Sequence, residues 1–104
     1  MIVNQIPLNN VSEDTVVTFV NATTIKVNGV YYLFSGTNFE NINVQKLSNG
    51  YIQSITWDGT NYSVAVLRKY TQNNASWCDL GYVDVSSQYT NETVTNAITI
   101  EGAS

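Results

Sequence analysis

The stretch that decides the fold is Thr23-Thr24-Ile25-Lys26-Val27-Asn28-Gly29-Val30-Tyr31-Tyr32-Leu33-Phe34. Two runs of strand-forming residues flank Asn28-Gly29, a pair that readily takes the positive φ values of a two-residue type I′ turn. In the resulting hairpin Ile25 opposes Tyr32 on an apolar face, and Lys26 opposes Tyr31 on the other face. The pattern therefore predicts an antiparallel hairpin whose apolar face belongs to the core.

A second hairpin with the same turn is predicted further along the chain. Residues 42–48 and 51–57 flank Asn49-Gly50, and the register that sets Ile42 opposite Trp57 buries the most apolar surface. Asp58-Gly59-Thr60-Asn61 then turns the chain into a strand from Tyr62 to Tyr70. One face of this meander carries the alternating apolar residues Tyr51, Ile55, Trp57, Tyr62, Val64 and Val66. Residues 42–70 are thus predicted to form three antiparallel strands.

Weaker alternation predicts further strands at residues 1–8, 15–20, 77–85 and 93–100. Pro7 confines its part of the first strand to the edge or the end of a sheet, because proline donates no hydrogen bond. Residues 71–76 are a polar loop, and residues 86–91 are a loop or at most a short helical turn. We therefore expect one all-β domain over residues 1–104, an antiparallel β-sandwich or small barrel of about eight short strands.

Composition and charge narrow the possible partners. The chain has 104 residues, with four basic against eight acidic side chains and a net charge of −4. It therefore lacks the basic patch that binds phosphates, and we expect no nucleic-acid partner. It also lacks a long apolar run and an N-terminal signal pattern, so we expect cytoplasmic synthesis without a signal peptide and no membrane partner.

The side chains that perform most catalysis are missing. The sequence has no histidine, which excludes Ser-His-Asp and Cys-His arrangements and leaves no group that titrates near neutral pH. Its single cysteine, Cys78, follows Trp77 in an apolar run and is expected to be a small buried hydrophobe. The carboxylates closest in sequence do not form a glycosidase pair, since Asp79 and Asp84 leave a strand on opposite faces. We expect a protein that is not an enzyme.

One loop has the composition of a calcium site. Asp58-Gly59-Thr60-Asn61 clusters oxygen atoms of the kind that Ca²⁺ binds. The loop has no further acidic residue, and a hairpin turn explains the same four residues. We expect no metal and no cofactor.

The aromatic residues are the best candidates for a contact surface. Two tryptophans, seven tyrosines and three phenylalanines suit a sugar-binding module, in which aromatic faces stack on pyranose rings and amides bind the hydroxyls. A thin sandwich core needs most of them for packing. Core packing explains Tyr31, Tyr70 and Tyr89 least well. Tyr31 shares its strand face with Lys26 and Leu33, so the predicted interface residues are Tyr31, Lys26, Leu33, Tyr70 and Tyr89.

The second face of the first hairpin is nearly uncharged, as is the face of Thr93, Thr95, Ala97 and Thr99. Hydroxyl and amide groups bind across an interface without the desolvation cost of ions. A chain of this length buries only about two-thirds of its unfolded surface, so association would stabilise it. We expect a protein partner, in a homo-oligomer or a larger assembly.

In composition and size the whole chain resembles the small β-rich accessory proteins of bacteriophage virions, namely capsid decoration, head-fibre or tail-attachment modules. The resemblance rests on richness in Asn, Thr, Val and Tyr, the absence of His, the single Cys, and the hairpin signals Asn28-Gly29 and Asn49-Gly50. It implies a structural role in the virion.

Three functions follow as hypotheses from the sequence. The first is a non-catalytic structural or binding protein that acts through a protein–protein interface, as a virion accessory component. The second is a carbohydrate-binding module with a glycan partner. The third is a small acidic inhibitor of a host or defence protein.

Overall fold

A computed structural model of the chain describes residues 1–9, 12–72 and 75–104. The elements in chain order are β1 (Ile2–Asn9), β2 (Val17–Asn21), β3 (Thr24–Val27), β4 (Val30–Ser35), α1 (Val44–Leu47), β5 (Ile52–Trp57), β6 (Tyr62–Tyr70), β7 (Tyr82–Asp84), a 3-10 helix (Ser86–Gln88) and β8 (Ile98–Glu101). The short helical turn predicted within residues 86–91 is therefore confirmed.

The strands form two four-stranded sheets in the orders β5-β6-β1-β7 and β2-β3-β4-β8. Both sheets contribute to one hydrophobic core, for example Val3 and Val64 from the first and Ile25 and Tyr32 from the second. The predicted all-β, sandwich-like fold is confirmed, and neither sheet closes into a barrel within the described residues.

The predicted antiparallel arrangement is wrong for two strand pairs. β1 runs parallel to β6, and β4 runs parallel to β8. Both pairs join segments that are far apart in sequence, and apolar alternation is the same whichever way a neighbouring strand runs. The sequence indicates the relative direction of two strands only in the hairpins, because a tight turn makes its two strands antiparallel.

The first hairpin forms in the predicted register. Val27 pairs with Val30, Ile25 with Tyr32, and Lys26 with Tyr31. Asn28 and Gly29 have φ values of 48° and 84°, as the turn requires. Ile25 and Tyr32 are buried in the core, so the apolar face is the inner one.

The second predicted hairpin is wrong in its first half. Residues 44–47 form α1, whose N-cap is Asn43 with its side chain accepting a hydrogen bond from the Lys46 backbone N–H. The fully buried Ser48 hydroxyl donates to the Val44 carbonyl oxygen at 2.7 Å and accepts from the Ile52 N–H at 2.9 Å. Asn49-Gly50 does take positive φ values, but it ends a helix and does not join two strands.

The second half of that meander is confirmed. β5 and β6 pair antiparallel, with Trp57 opposite Tyr62 and Ile55 opposite Val64. An irregularity between Ile52 and Ser54 shifts the register. It places Ile52, and not the predicted Tyr51, on the core face opposite Val66.

β1 and β6 form the longest ladder of the molecule, with eight residue pairs from Ile2–Ser63 to Asn9–Tyr70. β7 flanks β1 only along residues 2–4. Pro7 therefore lies beyond β7 and near the end of the strand, where its missing N–H is tolerated.

The last two strands are shorter than predicted. Residues 76–79 form a turn, and positive φ values at Asp79 and Gly81 delay the strand until Tyr82. Cys78 is half-buried in that turn, so the expectation of a buried cysteine is wrong. Residues 93–97 precede β8 without strand structure.

A close backbone approach joins the end of β4 to the C-terminal residues. A Cβ atom on Gly36 would clash with the Gly102 carbonyl group, and one on Gly102 would lie 2.6 Å from the Asn38 carbonyl oxygen. Asn38 and Ala103 form an isolated antiparallel bridge at the same place. The contact requires glycine at both positions.

We predict that Gly36→Ala destabilises the fold by roughly 4 kcal/mol, because the backbone must move apart. Gly50→Ala is the matched control, since Gly50 has almost the same φ, +85° against +83°, and open space around it. Gly50→Ala should lower the free energy of unfolding by only about 1 kcal/mol, because alanine is less stable than glycine in the left-handed conformation. Urea unfolding measures both, and equal losses would contradict the close-approach account.

Candidate interaction site

The structure places the five predicted interface residues in three locations. Lys26, Tyr31 and Leu33 lie on the outer face of the sheet that contains β3 and β4. Tyr70 lies at the end of β6, and Tyr89 follows the 3-10 helix. The hairpin thus brings three of the residues together, and the other two lie elsewhere.

The polar groups on the hairpin's outer face already have a partner within the chain. Glu92 accepts hydrogen bonds from the Tyr31 hydroxyl at 2.6 Å and from the Lys26 ammonium group at 3.1 Å. The ammonium group also lies 5.0 Å from the Tyr31 ring centroid. These hydrogen bonds lower the pKa of Glu92 and raise the pKa values of Lys26 and Tyr31. Lys26 and Tyr31 thus hold Glu92 against the outer face of the sheet.

Tyr89 also makes an internal contact. Its hydroxyl accepts a hydrogen bond from the Met1 amino group, and its ring packs half-buried against the core. Burial raises the pKa of its hydroxyl. This tyrosine therefore holds the start of β1 in place.

A second cluster, which we call the Arg68 cluster, comprises Gln5, Arg68, Tyr70 and Trp77. Arg68 lies two residues after the fully buried Val66, so strand alternation directs both to the core face. Its guanidinium carbon lies 4.7 Å from the Trp77 ring centroid, and it donates a hydrogen bond to Gln5 Oε1. Tyr70 meets Trp77 edge to face at 5.4 Å. On the core face of β6, the apolar residues that end with Val66 are therefore followed by the polar and aromatic side chains of the cluster.

Two clefts flank the Arg68 cluster, and Arg68 and Trp77 line both. The first cleft, of about 240 Å³, has Leu80 and Gly81 among its lining residues and no acidic side chain. The second, of about 310 Å³, includes Asp14, whose carboxylate accepts from the Thr71 backbone N–H at 2.8 Å. Ligand groups can therefore reach Arg68 from either side.

Arg68 is half-buried and makes no ion pair with any described residue, whereas Lys26 pairs with Glu92 and Lys69 with Glu13. Burial lowers the pKa of the Arg68 guanidinium, against an opposing effect of Asp14. Arginine stays protonated in proteins. The cluster therefore holds a partly desolvated positive charge whose direct contacts among the described residues are an amide oxygen and an indole ring, an arrangement that favours a carboxylate ligand.

Exposed residues adjoin the first cleft. Leu80, which lines this cleft, is 58% exposed. Tyr82 is 54% exposed, but it pairs with Asn4, next to the Val3–Val83 pair that faces the cleft, so strand alternation directs it to the opposite face of the sheet. Asp79 is exposed and makes no hydrogen bond or ion pair with a described residue. Burial raises the pKa of Tyr70, and Cys78 and the charge of Asp79 add to the effect. We call Arg68, Trp77, Asp79 and Leu80 the Arg68 surface. Tryptophan and arginine are enriched among the residues that contribute most to the stability of protein interfaces.

Sequence reasoning found Tyr70 but missed Arg68, Trp77 and Leu80 as site residues. One signal was present, because Tyr62, Val64, Val66, Arg68 and Tyr70 alternate along one strand. A charged residue on the apolar face of a strand marks the place where the core ends. The contact with Trp77 depends on the turn at residues 76–79, which periodicity does not reveal.

Two further observations concern the described residues. No three Cys, Asp or Glu side chains come together as a group that holds a metal ion. No described helix has the length and apolar character needed to cross a membrane.

We predict that Glu92→Gln destabilises the fold near neutral pH and that the difference from the parent protein shrinks as the pH falls. The folded-state pKa of Glu92 lies below its ordinary value of 4.5, so its contribution is present above pH 4.5 and is lost as the carboxylate is protonated. Urea unfolding between pH 7 and pH 3 measures this. Glu101→Gln is the control, since Glu101 is exposed and has no such partner; a pH-independent deficit in Glu92→Gln would contradict the prediction.

Comparison with protein-family models, with curated proteins and with solved structures gives no match for this chain. Functional inference therefore rests on the geometry of the site.

Proposed function

We propose that this chain is a non-catalytic structural protein that works through a protein–protein interface at the Arg68 surface. The observation that carries the proposal is the half-buried Arg68, which forms no ion pair with a described residue and whose burial outweighs the attraction of the nearby Asp14. A charged side chain removed from water is normally paired. A protein partner that inserts a carboxylate would supply the missing pair.

The surroundings of Arg68 favour a protein over a small anion. Leu80 exposes apolar area in the first cleft, and covering it would add hydrophobic stabilisation of about 25 cal/mol per Å². Trp77 and Tyr70 form a packed aromatic pair that loses little side-chain freedom on binding. A small anion would leave this apolar area in contact with water.

A second copy of the chain is the partner that the charges favour. Asp79 is an exposed carboxylate that precedes Leu80 of the first cleft, and it lies close enough to the Arg68 cluster for its charge to act on Tyr70. A twofold dimer brings one patch against its own copy, so a self-complementary patch must carry both halves of each contact. Arg68 of one copy opposite Asp79 of the other meets this condition twice in each dimer.

The role we propose for such an assembly is that of an accessory component of a bacteriophage virion. It rests on the compositional resemblance together with an interface suited to repeated copies. Mass spectrometry of particles purified from a phage whose genome encodes this chain should find it in a fixed ratio to the shell proteins. Its absence from the particles would exclude the virion role and leave the interface itself open to the following test.

We predict that the protein self-associates in sedimentation velocity experiments and that Arg68→Glu or Asp79→Arg alone weakens the dimer at least about tenfold, because like charges then face each other. The double variant R68E/D79R restores both pairs with reversed polarity and should recover most of the affinity. Recovery of affinity in the double variant requires residues 68 and 79 to contact each other, either between two copies or within one copy.

Lys46→Glu is the matched control for Arg68→Glu, since it makes the same change of net charge at an exposed position of α1. Circular dichroism establishes that each variant is folded. A parent protein that stays monomeric at every concentration, or a control that dissociates like the charge variants, would contradict the proposal. The concentration dependence of the double variant separates pairing between copies from pairing within one copy.

A further inference from the structure

We infer that a groove beside Trp57, far along β6 from the Arg68 surface, binds carbohydrate by stacking a pyranose ring on the indole. The groove measures about 430 Å³ and is lined by Thr37, Asn38, Phe39, Glu40, Ile55, Thr56 and Trp57. This volume falls in the range of small-ligand sites. We call it the Trp57 groove.

The Trp57 ring is half-buried and fixed by other aromatic rings. Tyr62 lies 4.7 Å from it at a tilt of 54°, and Phe39 meets Tyr62 edge to face at 6.1 Å. The Tyr62 hydroxyl donates to the Gly36 carbonyl oxygen at 2.8 Å, which fixes this second ring. A stacking platform that is already rigid loses little entropy when a ligand binds.

The rim of the groove is polar, and its floor is apolar. Phe39 and Ile55 are buried, whereas Thr37, Asn38, Glu40 and Thr56 are exposed. The Glu40 carboxylate has no hydrogen bond or ion pair with a described residue, and Asn38 uses its Oδ1 to accept from the Glu40 N–H at 3.0 Å. The Asn38 amide NH₂ and the Glu40 carboxylate therefore remain available for sugar hydroxyls.

The backbone beneath these groups is also fixed. The backbone N–H groups of Thr37 and Asn38 both donate to the Ala103 carbonyl oxygen at 2.9 Å. The Ala103 N–H donates to the Asn38 carbonyl oxygen at 2.8 Å. The Gly36–Gly102 approach closes the same corner. The polar rim and the aromatic platform thus belong to one rigid unit, as expected of a site formed before its ligand arrives.

This chemistry favours a neutral sugar over a protein segment. A pyranose presents an apolar C–H face to an aromatic ring and hydroxyls around its edge, which matches one half-buried indole surrounded by hydroxyl, amide and carboxylate groups. The groove contains no cation and no exposed large aliphatic side chain. Both features distinguish it from the Arg68 surface.

The experiment is a titration of the full chain, followed by ¹H–¹⁵N NMR, with maltotetraose, cellotetraose, chitotetraose, mannotetraose and galactotetraose. The chain has two tryptophans, and Trp57→Phe and Trp77→Phe assign the two indole N–H signals. We expect at least one tetrasaccharide to shift the Trp57 signal saturably and to leave the Trp77 signal in place. Glu40→Gln and Asn38→Ala, both at exposed positions, should each weaken that binding at least fivefold.

Trp77→Phe is the matched control and should bind the same sugar as the parent protein does. The inference is overturned if none of the five tetrasaccharides shifts the Trp57 signal, or if the rim variants bind as tightly as the parent. Sugar binding and self-association are read separately, because the groove variants leave the Arg68 surface intact. Either proposal can therefore fail without the other.

Discussion

The parallel ladder between β1 and β6 is the constraint on which the molecule depends. Its eight residue pairs place β6 in the interior of its sheet, and nine residues make β6 longer than the core needs. Side chains along its inner face run from Tyr62 through Val64 and Val66 to Arg68. The core cluster includes the first three and ends before Arg68. Each end of this strand face therefore carries a half-buried tryptophan, Trp57 at one end and Trp77 at the other, and both proposed sites follow from that geometry.

The cations of the chain show why charge pairing decides between candidate surfaces. Lys26 lies on the face that the sequence favoured, but Glu92 neutralises it from within the chain, and the Tyr31 hydroxyl of the same face also donates to Glu92. Arg68 has lost part of its hydration without forming an ion pair with a described residue, and the attraction of Asp14 only partly offsets that loss. An internal ion pair needs nothing from outside, whereas a desolvated cation between two clefts is stabilised when a partner supplies the opposite charge.

The sequence predicted those parts of the fold that neighbouring residues determine. Asn28-Gly29 specified the first hairpin and its register, and the alternation from Ile55 to Val66 specified the β5–β6 pair. Asn49-Gly50 led to the wrong prediction of a second hairpin, because the same positive φ values can end a helix. Asn43 and Ser48 cap that helix through side-chain hydrogen bonds. The parallel pairings and the Arg68–Trp77 contact join residues that no local pattern links. They depend on how distant segments pack, which is why Arg68 and Trp77 were missed and Glu92 was not foreseen as the partner of Tyr31.

The central claim is that Arg68 and its neighbours meet another copy of the chain. Isotope-filtered NMR on an equimolar mixture of labelled and unlabelled protein tests it most directly, because only contacts between copies give signals. The account predicts nuclear Overhauser effects between the Trp77 ring and the Leu80 side chain of the other copy. Effects confined to other surfaces, or none at the highest soluble concentration, would contradict it.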